Sequence, residues 1–99
     1  MTINIQYVHM DTSDSMNAYV HKKLKRLSKK YHWLISAEVH FENLNDPKGK
    51  GKICKMEFSA PGPRIFASSN EDNYEDAVKN SIKDIERQLK KPKSIFSRR

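Results

Sequence analysis

The chain has 99 residues, 36% of them hydrophobic, enough for one small domain with a single core and too little for a second. Its 19 Lys and Arg against 12 Asp and Glu give a net charge of +7, which points to an acidic partner and to nucleic acid before a membrane, since no stretch is long or apolar enough to span a bilayer. The start Met1-Thr-Ile-Asn4 lacks the basic segment and apolar run of a secretory signal, and the lone Cys54 excludes an internal disulfide, so a reducing cytoplasm is the expected location.

Ile3, Ile5 and Tyr7 alternate with polar residues, the period of a strand buried on one face. After the cap-forming run Asp11-Thr-Ser-Asp14, the residues Met16, Val20, Leu24, Leu27 and Tyr31 form one apolar stripe and predict a helix ending near Trp33. Ala37, Val39 and Phe41 alternate again, the segment from Asn45 to Gly51 is rich in turn formers, and Cys54, Met56 and Phe58 make a third strand. Pro61-Gly-Pro63 turns the chain into a fourth strand with Ile65 and Ala67 inward. Asp72 and Glu75 read as a capping box for a second helix with the stripe Tyr74, Val78, Ile82, Ile85 and Leu89. Pro92 stops that helix, and the basic tail 93–99 reads as disordered beyond a domain at 1–92.

The order β-α-β-β-β-α, with one apolar face per strand and one stripe per helix, predicts a two-layer α+β fold: a four-stranded sheet with both helices packed on one face. A right-handed crossover through the first helix makes the first strand parallel to its partner, and hairpins make the later strands antiparallel. With no spare apolar stripe, a monomer is expected.

At about 100° of rotation per residue, Lys22, Lys25, Arg26 and Lys29 fall opposite the first helix's stripe, with Lys23 and Lys30 on its flank. Lys79, Lys83, Arg87 and Lys90 fall opposite the second stripe. One such helix is what any solvated face provides; two sharing the bias predict a surface for phosphate backbones. The acids gather elsewhere: Glu38, Glu42 and Glu57 on strands, and Glu71, Asp72, Glu75 and Asp76 at the start of the second helix, where they suit its macrodipole.

Ile82-Lys-Asp-Ile-Glu-Arg-Gln-Leu89, Ile65-Phe-Ala-Ser68, Glu71-Asp-Asn-Tyr74, Asn4-Ile5 and Val20-His-Lys-Lys-Leu-Lys-Arg-Leu27 together resemble the bacterial ribosome hibernation promoting factors and ribosome-associated inhibitor proteins of the sigma-54 modulation family. The resemblance covers almost the whole chain, through many moderate matches in register. It implies a protein that binds the small ribosomal subunit and its rRNA between head and body, where messenger RNA and tRNA anticodon ends lie, and silences idle ribosomes. Any pairing of ribosomes would involve a separate partner factor. Carried over by position, the family's basic residues match Lys23, Arg26, Lys29, Arg87 and Lys91, whereas Lys22, Lys25, Lys79, Lys83 and Lys90 rest on charge alone.

Three departures stand out. Asp84 occupies a position that is basic in familiar members, with Lys83 just before it, so the second ridge is expected to be rotated. The segment from Asp72 to Ala77 is one residue longer than the family's Asp-x-Tyr-x-Ala, leaving Tyr74 to reach either the core or the helix end. The chain also lacks both the carboxy-terminal domain of long members and the acidic tail of some inhibitors, and so resembles a short form.

Tyr7, Tyr31, Phe41 and Phe58 are in phase with the core, while Phe66 falls on the opposite sheet face. His9, His21, His32 and His40 show no metal-ligand spacing, and neither metal nor cofactor is expected. Two rivals remain. A small basic ribonuclease would use His40 with Glu38 or Glu42, but on an open strand face without a cleft. A double-stranded-RNA-binding module shares the α-β-β-β-α order and lacks the first strand.

Overall fold

Six elements follow one another: β1 (Thr2–Val8), α1 (Asp14–Lys30), β2 (Ser36–Asn43), β3 (Lys52–Ser59), β4 (Ile65–Glu71) and α2 (Tyr74–Leu89). The structure, a computed structural model, describes residues 1–44, 50–62 and 64–90. Lys91, Pro92, the tail 93–99 and most of the turn-rich segment after Leu44 lie outside the described residues.

The four strands pair in the order β1-β2-β3-β4, with β1 parallel to β2 and both later pairings antiparallel. Register stacks the alternating apolar residues into rows across the sheet. Ile5, Val39, Met56 and Ala67 form one row, and Ile3, Ala37, Phe58 and Ile65 form the next. These rows meet Val20, Leu24 and Leu27 of α1 and Ala77, Val78, Ile85 and Leu89 of α2 in one core, so both helices cover the same face. Phe41 and Phe58 are fully buried, whereas Tyr7 and Tyr31 are half-buried at the margin. Tyr7 stacks on Phe41 at 5.2 Å, and its hydroxyl donates to the Ser13 carbonyl at 3.0 Å, which ties β1 to the start of α1.

Strand directions fix helix directions. β1 and β4 run the same way, and each helix returns against the strand before it, so α1 and α2 lie parallel, side by side. The start of α2 is held to β2 and to the segment before α1, where the Tyr74 hydroxyl donates to the Glu42 carbonyl at 3.2 Å, with the Met10 sulfur 3.3 Å away. The ends of the two helices meet through Lys30 and Glu86. Tyr74 therefore opens α2 and also packs edge-on against Phe41 at 5.5 Å, reaching both the helix end and the core.

Two boundaries and one apolar stripe differ from the sequence expectation. α1 ends at Lys30 rather than near Trp33, because Tyr31 closes it as the C-cap and Trp33 turns back edge-on to Tyr31. The cap of α2 is shifted by one residue: Asn73, not Asp72, accepts from the Asp76 backbone N–H at 2.8 Å and donates to its carboxylate. Ala77 and Ser81 are buried in the α2 stripe, whereas Ile82 is half-buried. Ser81 is tolerated there because its hydroxyl donates to the Cys54 carbonyl at 3.2 Å. Gly51, buried before β3, has a φ of 124° and brings its N–H to the Asn70 side chain at 2.6 Å, a conformation that a Cβ would oppose.

Candidate nucleic-acid interface

Helical phase, anchored by the buried stripe, decides where each basic side chain emerges. On α1, Lys22, Lys25 and Lys29 are exposed on the surface away from the sheet and line a shallow depression with Ala18, His21 and Arg26. On α2, Lys79, Lys83, Arg87 and Lys90 are exposed along the corresponding ridge. The two ridges run parallel because the helices do. Of the sequence-identified basic residues, only Lys91 lies outside the described residues.

A groove runs between the ridges, lined by Lys23, Arg26, Leu27 and Lys30 of α1 and by Ile82 and Glu86 of α2. The Lys23 ammonium sits 5.4 Å from the centre of the Tyr19 ring, and that of Lys30 sits 5.7 Å from the Tyr31 ring. These aromatic contacts hold the lysine stems against the helix while the charges face the groove.

Besides Asp14, Glu75 and Asp76 in the first turns of the helices, two acids sit among the cations of this layer. Glu86 accepts from Lys30 and from the Tyr31 hydroxyl, at 3.4 Å for the latter. Chiefly through the hydrogen bond from Lys30, its carboxyl is held below the usual carboxylate range, and the Lys30 ammonium is correspondingly raised. Asp84 accepts from Arg87 one turn later, at 3.2 Å, on the flank facing away from α1. The departure at Asp84 thus partly neutralises Arg87, whereas Lys79, Lys83 and Lys90 are the other exposed cations of that ridge. Glu86 escaped sequence reasoning because its partner is 56 positions away, although its i,i+4 relation to Ile82 places it on the flank that faces α1.

The opposite sheet face carries mixed charge. Glu38 accepts from Asn4, Glu42 pairs with Lys55, and Glu57 pairs with Arg64. His40 lies between Gln6 and Lys55 on this face, with Glu38 and Glu42 engaged by other partners. Phe66 is 54% exposed on the same face. Among the described residues, no group of three or more His, Cys, Asp or Glu is placed to hold a metal ion, and no helix is long and apolar enough to cross a membrane.

Comparison with known proteins identifies the family and the fold. The family model described as sigma 54 modulation protein / S30EA ribosomal protein matches residues 3–95. The chain belongs to that family. Its fold is similar to that of a ribosomal subunit interface protein from Coxiella burnetii, at 25% identity and a TM-score of 0.80, covering 92% of this chain and 96% of that one. It is also similar to the N-terminal domain of Protein Y from Thermus thermophilus, at 22% identity and a TM-score of 0.78, covering 91% and 97%. No curated protein sequence matches the chain. Family membership follows from residue matches along the chain, and the two-ridge surface from the placement of charge in space.

Proposed function

We propose that this protein is a ribosome hibernation factor. It binds the small ribosomal subunit in the channel that messenger RNA and tRNA anticodon ends would occupy, and it silences idle ribosomes by filling that space. The observation that carries this reading is the pair of parallel basic ridges on one layer of the fold, in a chain of the S30EA ribosomal protein family. Parallel ridges separated by a groove engage several backbone segments at once, and phosphate contacts position a protein without reading sequence. Folded rRNA offers closely spaced backbones of this kind. No chemical step is assigned: occupancy is the mechanism, and the protein acts as a binding factor in the cytoplasm, where ribosomes are.

The test is co-sedimentation of the purified protein with separated small and large ribosomal subunits at physiological salt, with duplex RNA as competitor. Retention on the small subunit despite the competitor, relieved by excess tRNA and messenger RNA, is the expected result. Transfer to the duplex would identify a general double-stranded-RNA binder instead.

A further inference from the structure

We propose that Glu86 is a built-in competitor for RNA phosphate, occupying the cationic groove between the helices of the free protein and setting the affinity at which RNA displaces it. The inference rests on the reading of the two ridges as an rRNA surface and names what regulates it.

Three observations converge. The groove brings Lys23, Arg26 and Lys30 together from one helix, an arrangement suited to a phosphodiester, which accepts hydrogen bonds and carries one negative charge. The facing helix contributes a single acid to that lining, Glu86, and its carboxylate already holds the Lys30 ammonium and the Tyr31 hydroxyl. The pair is open to solvent, with the Lys30 side chain 58% and the Glu86 side chain 25% exposed, so an incoming anion can reach it. A pair this exposed contributes little to the fold, since gain and solvation nearly balance. Its effect on an arriving phosphate is larger: the carboxylate engages one donor and repels the ligand from a few ångströms away. Phosphate entry therefore exchanges one anion for another at Lys30, and Glu86 lowers affinity without blocking the site.

The experiment compares wild type with Glu86→Gln and with Glu57→Gln across a salt series, on isolated small subunits and on a single-stranded uridine oligonucleotide. Gln preserves the size of Glu86 and an acceptor for Lys30 while removing the charge. Glu57 is a matched control, since it pairs with Arg64 on the opposite sheet face and its loss changes net charge equally. Glu86→Gln is expected to bind RNA about three- to tenfold more tightly near physiological salt. Its log–log salt slope should steepen by roughly 0.7 to 0.9, with a melting midpoint close to wild type. Glu57→Gln is expected to bind as wild type does. Equal tightening by both variants would reduce the effect to net charge, and weaker binding by Glu86→Gln would make Glu86 a support for Lys30; either result overturns the proposal. If wild type is retained on small subunits but Glu86→Gln gains nothing on either ligand, the competitor falls and the hibernation reading stands. If wild type fails to bind subunits yet Glu86→Gln tightens on the oligonucleotide, the ribosomal reading falls and the competitor stands.

Discussion

Asn73 shows how narrowly a helix start is decided. Asp72 and Glu75 have the spacing of a capping box, but so do Asn73 and Asp76, and only the path of the chain out of β4 selects between them. The folded backbone places Asn73 in the extended conformation, with its side-chain oxygen on the Asp76 N–H. Asn73→Ala is accordingly expected to cost about 1 kcal/mol in chemical denaturation, whereas Asp72→Ala, at an exposed position outside the cap, should stay within about 0.5 kcal/mol. Cys54 is a second single-residue case. Burial pushes its thiol up from 9.0 to about 12, with the nearby Ser81 hydroxyl offsetting only part of the shift. The native protein should therefore resist alkylation by iodoacetamide at pH 8, and modification should follow global unfolding. The linkage has a definite sign: above pH 9 the unfolded chain releases this proton while the folded one retains it, so the Cys54 contribution to stability falls from there upward. Burial of Cys54 was legible from its phase with Met56 and Phe58; its hydrogen-bonded neighbour across 27 positions was not.

At the scale of elements, periodicity carried most of the information. Every strand was readable from alternation, because each has one face on the core and the other turned away from the helices. The stripe of α2 was read less accurately, and the reason is geometric. A helix packed beside a parallel neighbour has a flank that is half-covered, and Ile82 lies there, facing the groove, while the small residues Ala77 and Ser81 sit closest to the sheet. Hydrophobicity alone ranks Ile82 above Ser81; close approach of helix and sheet reverses that order. Ile85→Ala, at a fully buried site, is expected to cost about 2–5 kcal/mol through lost contacts and the residual cavity. Ile82→Ala should cost clearly less, as read by denaturant titration of both variants. Equal losses would mean that the flank is as tightly packed as the centre, and that the groove between the helices is closed.

For the whole molecule, the question is whether the charge acts as a general field or as a placed surface. A net charge of +7 alone would attract RNA in any orientation. The fold instead segregates the charge, with exposed cations along both helices and paired, mixed charge across the opposite sheet face. The existence of two ridges was legible from helical phase, but their parallel alignment required the sheet topology, and the neutralisation of Arg87 and Lys30 required side-chain positions in space. These placements select the variants. Lys79→Glu with Lys83→Glu reverses cations on the open part of the second ridge, while Lys52→Glu with Lys55→Glu makes the same change in net charge on β3, where Lys52 bonds Asn43 and Lys55 pairs with Glu42. A general field predicts equal loss of small-subunit binding in the two doubles. A placed surface predicts that the ridge double loses at least about tenfold and flattens the salt slope by roughly 1.4 to 1.8, the equivalent of two phosphate contacts, while the β3 double keeps nearly the wild-type slope. Reversing Lys22 and Lys25 on α1 should reproduce the ridge result. Combining that pair with the α2 pair should then abolish retention, because a surface spanning both helices depends on each, and a protein held by one ridge alone would survive loss of the other.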